Sequence, residues 1–197
     1  MSVAGLGPTT IRDADVADAP AMGRFLVATW LAAHRPHLPP EVWERRRRAW
    51  TPEVSAGGWE RALRERDAVR GRTRACFLVA TDPAGAIVGL AAGAASGADP
   101  SGGLGEVGSL YVHHDHQRRG LGRRLLGQLA GCLADKGIRS LHIGVLTANL
   151  GARRFYEALG GQLVEERMFD DDGVLLPESV YAWPDVGCLA DRRPGPG

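Results

Sequence analysis

The residues with the most chemical potential lie between Gly105 and Leu126, in the run GEVGSLYVHHDHQRRGLGRRLL. An apolar strand pattern through Val107, Leu110 and Val112 runs into Gln117-Arg118-Arg119-Gly120-Leu121-Gly122, which opens a long helical pattern. Free N–H groups at a helix start, together with the helix dipole, favour a phosphate or pyrophosphate. Gly120 and Gly122 remove side chains where a ligand must approach the backbone. Arg118, Arg119, Arg123 and Arg124 add charge within reach of the same anion. The same two glycines also suit a bare strand-to-helix turn, so both readings stay open on this loop alone. No Gly-Lys-Ser/Thr triplet follows, and the three-glycine dinucleotide spacing is missing. His113, His114 and His116 surround Asp115 just ahead of the loop. Their spacing is compatible with a metal, but solvated or phosphate-neighbouring residues are the expectation, and no metal is expected. Downstream, Asn149 and Tyr156 are seven residues apart, two helical turns, and so share one helix face.

These residues need a scaffold, and the remaining patterns supply one. Ile11 opens a short strand, and Ala19-Pro20 starts a helix carrying Met22, Phe25, Leu26, Thr29 and Trp30. Three prolines between His34 and Pro40 end it. Glu41–Trp50, with Arg45 to Arg48, and the polar Trp59–Arg70 read as two further helices. From Cys76 the period changes: Cys76–Thr81 and Ala86–Ala95 form a hairpin about Asp82-Pro83-Ala84-Gly85, and Ser96–Gly105 is a loop. Then come a buried strand over Glu106–His113, a helix over Gly120–Lys136 stopped by Gly137, and a strand over Ser140–Leu146. A helix over Asn149–Leu159 and two closing strands, Gln162–Phe169 and Val174–Trp183, complete the pattern. Strands and helices intermix, giving an α/β (α+β) class with a mixed sheet in one domain over residues 1–197. Its core spans about 9–184, and residues 185–197 read as a frayed tail.

Composition narrows the partners. With 44% hydrophobic and 24% charged residues the chain matches ordinary globular proteins. A net charge of +1 gives no global drive toward nucleic acid or an anionic membrane. The longest apolar run, Ile87–Ala95, is broken by Gly89 and Gly93 and is too short to span a bilayer. The first residues carry no signal-peptide pattern. Cys76, Cys132 and Cys188 are odd in number and widely spaced, so no disulfide follows from them, and a reducing cytoplasm is the simplest compartment.

Two segments together resemble the GCN5-related N-acetyltransferase family. Gln117–Gly122 is similar to its Gln/Arg-x-x-Gly-x-Gly/Ala signature at a strand-to-helix junction, although His114 stands where proline is common. Asn149–Gly161 (NLGARRFYEALGG) looks like its second conserved segment, and the order of elements fits from about Thr9 to Trp183. The resemblance implies a mostly antiparallel central sheet flanked by helices, with two splayed central strands that leave a notch for acetyl-coenzyme A (acetyl-CoA), the co-substrate. Its pyrophosphate would sit on the amides of Arg118, Arg119, Gly120, Leu121, Gly122 and Arg123, in a loop headed by Gln117. The pantetheine arm would pair with the backbone of Leu110, Tyr111 and Val112, and Asn149 would touch it.

The implied chemistry moves an acetyl group from the thioester to an amine. An alkylammonium has an ordinary pKa of about 10.4, so the amine must lose a proton before it attacks. Glu106 sits where relatives keep a carboxylate for that task, with the histidines and water as rivals. The developing oxyanion needs donors, by resemblance the strand amides near Leu110. The matching tyrosine, Tyr156, would protonate the leaving sulfur. Relatives choose the acceptor with the first helices and the last hairpin, here Trp30–Gly58 and Phe169–Trp183. Trp30, His34, His37, Trp43, Trp50 and Tyr181 are candidate liners, and Glu53, Glu60, Glu178 and Asp170–Asp172 could draw in a cationic amine. Arg45 to Arg48 read as a solvated face. The leading expectation is a small-molecule amine acceptor. A protein lysine or N-terminal acetyltransferase and a non-catalytic acyl-CoA sensor are the alternatives, and a homodimer is the assembly the resemblance suggests.

Overall fold

The computed structural model describes residues 7–69, 73–99, 101–171 and 173–190. Seven strands, β1 (Thr10–Asp13), β2 (Ala75–Thr81), β3 (Ile87–Ala95), β4 (Leu104–Val112), β5 (Ser140–Leu146), β6 (Gln162–Asp170) and β7 (Leu175–Trp183), form one sheet in the order β1-β2-β3-β4-β5-β7-β6. Every neighbouring pair is antiparallel except β4–β5, which is parallel. The mixed sheet expected from the intermixed patterns, mostly antiparallel as the resemblance implies, is what the chain builds.

Helices cover both faces. On one lie α4 (Leu121–Ala134) and α5 (Leu150–Ala158). The leucines of α4 recur at helical spacing, so Leu121, Leu125, Leu126, Leu129 and Leu133 pack on Val107, Leu141 and Ile143 of the sheet. On the other lie α1 (Ala19–His34) and α3 (Pro52–Ala68), whose Met22, Phe25 and Leu63 close over Val79 and Leu90. Helix α2 (Pro40–Ala49) lies over the last hairpin, where Leu38 and Val42 meet Leu176.

Three expectations need correction. Helix α3 begins at Pro52 rather than Trp59, because Thr51 caps it by accepting the Val54 N–H at 3.3 Å and proline takes the first turn. The tail begins later than 185: Val186 and Leu189 are buried, and Gly187–Ala190 forms a short helix, α6. Residues 191–197 lie outside those described. Cys76 and Cys132 form a disulfide, against the reading of the cysteines as unpaired. Cys76 sits on the face of β2 that meets α4, a proximity that a separation of 56 residues conceals.

Candidate active site

The sheet opens where β4 and β5 meet. Their pairing covers Leu104↔Ser140, Gly105↔Leu141 and Glu106↔His142 and goes no further, although β4 runs on to Val112 and β5 to Leu146. A register shift at Ala92/Gly93 opposite β4 bends the strand away. On the β5 side, Gly144 leaves room for the Glu178 carboxylate, which lies where a Cβ would stand. Between the diverging strands is a cleft of about 1050 Å³, lined by Glu106–Val112, Ile143–Leu146, α1, the loop before α4, and α5.

The loop is built to present N–H groups. Gln117 folds back and its Nε2 donates to the Val112 carbonyl at 3.0 Å, tying the loop to the strand. Arg118 at φ 60° and Gly120 at φ 78° then curl the backbone through the left-handed region. Gly120 caps α4 with no side-chain hydrogen bond, so the amides of the first turn keep no partner within the helix. A Cβ at Gly120 would meet nothing within 4 Å, which leaves open space before those amides. Gln117, Arg118, Gly120, Gly122 and Arg123 line the cleft. Arg119 is exposed outside the lining, and Leu121 turns its side chain into the core, so these two offer only backbone. Arg124 does not add charge there: it donates to the Thr9 carbonyl at 3.1 Å, holding β1. An uncapped first turn, an open approach and two cationic liners fit a coenzyme A pyrophosphate.

Leu110, Tyr111 and Val112 form one wall of the notch. Asn149 and Tyr156 enter from α5. The Asn149 Oδ1 accepts the Ala152 N–H at 3.1 Å, which caps α5 and leaves its amide nitrogen to face the cleft lining. Tyr156 is 6% exposed and is set among Phe155, Tyr181 and Trp183. Its hydroxyl makes no protein hydrogen bond, yet no side-chain nitrogen or oxygen among the described residues is both buried and unpartnered. The hydroxyl is therefore reached by solvent, on a residue that lines the cleft. Burial pushes its pKa up, and the neighbouring Tyr111 phenol adds to the shift. Tyr111, read from sequence only as backbone, thus also turns its side chain toward the notch.

Glu106 lies at the root of the notch, more than half exposed, with its Oε2 3.7 Å from His142 Nε2. Glu178, 13% exposed, lies in the same cleft and accepts Arg167 Nε at 2.8 Å. Of the candidate acceptor liners, Trp30 and His34 reach the cleft. Trp43 instead donates its Nε1 to the Leu31 carbonyl at 2.9 Å. Tyr181 is fully buried, donating to Glu157 at 2.6 Å and accepting from Arg153. Asp171, 5% exposed, also lines the cleft, pairs with Arg46, and accepts Arg45 on its carbonyl at 3.1 Å. The arginine run therefore docks α2 in part rather than forming a wholly solvated face. Arg167 escaped notice because its partner Glu178 lies eleven residues away across a hairpin. His113, His114 and Asp115 bring one ligand atom each within 4.8 Å of one another; Asp115 contacts both rings, at 3.6 and 3.0 Å.

Residues 40–161 match the acetyltransferase (GNAT) family. The chain is 32% identical over 123 residues to the N-acetyltransferase YuaI of Bacillus subtilis (strain 168), covering 62% of this chain and 70% of that protein. Its fold is similar to that of yncA from Salmonella typhimurium, solved with its cofactor acetyl-CoA, at TM-score 0.67 and 21% identity over 97% of this chain and 99% of that one. It is equally similar to the PaiA N-acetyltransferase of Thermoplasma acidophilum in complex with coenzyme A, at TM-score 0.67 and 16% identity over 87% and 98%. The divergent β4–β5 pair and the uncapped amide loop accompany a family match over more than half the chain, and that match shows that this protein belongs to the GNAT acetyltransferase family.

Proposed function

We propose that the acceptor is a primary amine on a small molecule. One observation carries this reading: the acceptor side of the notch is roofed. Leu38, just before α2, and Val42 within it pack on Leu176 of β7, and Arg46 pairs with Asp171 beyond β6. A protein acceptor needs an open groove across the mouth, whereas this roof suits a compact ligand. A non-catalytic sensor would have no use for Tyr156 and Glu106 on one cleft.

The amides from Arg118 to Arg123 would hold the pyrophosphate, the edge of Leu110–Val112 the pantetheine arm, and Asn149 the same arm. Acetyl-CoA supplies an activated acyl group. Glu106 receives the first proton of the ammonium, directly or through water. Backbone N–H groups near Leu110 stabilise the carbonyl oxygen as it gains charge. Tyr156, kept protonated by burial, donates its proton to the departing sulfur. We place this enzyme in the cytoplasm because acetyl-CoA is made there, and not on the cysteines, since the Cys76–Cys132 bond is of a kind rare in a reducing compartment. No helix among the described residues is long and apolar enough to cross a membrane, and net charge +1 offers nucleic acid no field. All nine residues of β6 are exposed at the sheet edge, and that supports pairing of two copies there.

Calorimetric titration with acetyl-CoA, beside coenzyme A and ATP, tests the reading, followed by thiol release with an amine set. Micromolar binding that Gly120→Val weakens at least tenfold is the expected result. A folded protein that ignores acetyl-CoA overturns it.

A further inference from the structure

An ammonium must lose two protons to become a secondary amide, and a single carboxylate accounts for one of them. His34 stands where the second could go. It occupies the last turn of α1 and lines the cleft shared by Glu106, Tyr111 and Tyr156. Its ring stacks on Trp30, with centroids 4.3 Å apart and planes at 14°, and lies 6.2 Å from the Tyr111 ring. Nδ1 is 2.9 Å from the Trp30 carbonyl oxygen. A carbonyl only accepts, so Nδ1 carries the proton and the lone pair is left on Nε2. Nε2 has no protein partner, and no buried, unpartnered side-chain nitrogen or oxygen exists among the described residues. Nε2 is therefore reached by solvent, on a residue that lines the cleft.

We propose that His34 is the second base of the transfer, its Nε2 taking the proton that the acceptor nitrogen sheds as the carbon–nitrogen bond forms. This role rests on the acetyl-transfer reading above. Stripping an ordinary alkylammonium is uphill for a carboxylate and an imidazole alike, so position divides the work. Exposed Glu106 hands the first proton straight to solvent, and His34, lining the cleft beside Tyr111, is placed for the later one. Once the nitrogen lone pair has bonded to the acyl carbon, that nitrogen is far more acidic and the transfer runs downhill. The protons then balance. Glu106 passes the first to solvent, Nε2 takes the second, and the carbon–sulfur bond breaks as Tyr156 protonates the sulfur. The proton on Nε2 returns to the Tyr156 phenolate through cleft water, so one proton is released for each amide and thiol formed.

The surroundings keep the imidazole neutral and ready. Burial pushes its pKa down, and the charges of His37 and of Arg46 on α2 push the same way, against the hydrogen bond to Trp30. Arg46 also stands 5.5 Å over the Trp30 ring on which His34 stacks. From β4 the facing group is the neutral Tyr111 phenol, whose own pKa burial raises.

Nitrogen-15 spectra of the wild-type imidazoles test the geometry without any acceptor. The Nδ1–H tautomer with bare Nε2, titrating below the ordinary value of about 6.5, is expected for His34. The Nε2–H tautomer, or an imidazolium at neutral pH, overturns the proposal even where His34 variants fail to fold. Thiol release with acetyl-CoA and tyramine, spermidine, glucosamine or lysine tests the role. His34→Gln should lose about 100-fold in kcat with acetyl-CoA affinity within twofold and without the acid limb of the pH profile. Added imidazole should restore part of the rate to His34→Gly. Where none of these amines reacts, the same variants are read on acetyl-CoA hydrolysis, for which water needs the same base. An unchanged rate in His34→Gln overturns the role alone; a folded wild type that binds no acetyl-CoA overturns the acetyl-transfer reading and this role with it.

Discussion

Tyr156 stands edge-on to Trp183, with ring centroids 6.0 Å apart and planes at 88°. Trp183 is itself fixed, fully buried and donating its Nε1 to the Leu159 carbonyl at 3.0 Å. The last strand of the chain, β7, thus sets the position of the candidate acid in the C-terminal turn of α5. Tyr156→Phe keeps the ring and these contacts while deleting the hydroxyl. Thiol release should fall by roughly 100-fold or more, with acetyl-CoA affinity within twofold and an unchanged melting temperature. A full rate in the variant removes Tyr156 from the mechanism.

The two cleft phenols make stability sensitive to alkali. Burial raises the pKa of Tyr111 and, together with Tyr111, that of Tyr156 above the ordinary phenol value. A folded pKa above the unfolded one means that the native state holds its protons more tightly. Their contribution is complete below pH of about 10 and is lost as pH rises past it. Urea unfolding between pH 9 and roughly 12 should show stability falling from about pH 10, with a shallower fall in Tyr111→Phe and Tyr156→Phe. For the same reason Tyr156 should put no alkaline limb on kcat below that pH.

Asp171 ties the roof to the sheet. Its carboxylate pairs with Arg46 and its carbonyl accepts Arg45. Asp171→Ala should loosen α2 and raise KM for the amine roughly tenfold, with acetyl-CoA affinity held within twofold. Arg46 is a third exposed, so solvent screening limits the stability loss to about 1–2 kcal/mol. A double-mutant cycle with Arg46→Ala should show coupling in KM. Additive effects would mean that the pair does not shape the acceptor end.

The parts of the site that sequence made legible are local ones. Gln117–Gly122 and Asn149–Tyr156 each carry their geometry within one turn and one helix, so spacing marked each segment and the family resemblance implied that both border one cleft. The glycine at φ 78° and the cap by Asn149 are properties of neighbouring residues. What escaped is long-range. Arg167 meets Glu178 only through the β6–β7 register, Arg46 reaches Asp171 only once α2 has folded over the hairpin, and Arg124 is spent on Thr9, 115 residues away. Helix α3 was half hidden because Gly57-Gly58 masks a helical period that Thr51-Pro52 announces.

The disulfide belongs to that long-range class and has its own consequence. Cys76 and Cys132 join β2 to the last turn of α4, the helix whose first turn forms the amide cradle. Closing 56 residues of chain restricts the unfolded state, worth about 4 kcal/mol in the chain-entropy account. For a chain of this size that is roughly 10 °C in melting temperature. Reductant, or Cys132→Ser, should lower the melting temperature by that order, while Cys188→Ser should leave it unchanged. The cradle itself is held by Leu125, Leu126 and Leu129, all fully buried, so acetyl-CoA affinity at 25 °C should survive reduction. Thiol titration of the unreduced, denatured protein decides the starting point: one reactive thiol supports the bond, and three would mean that Cys76 and Cys132 only lie side by side.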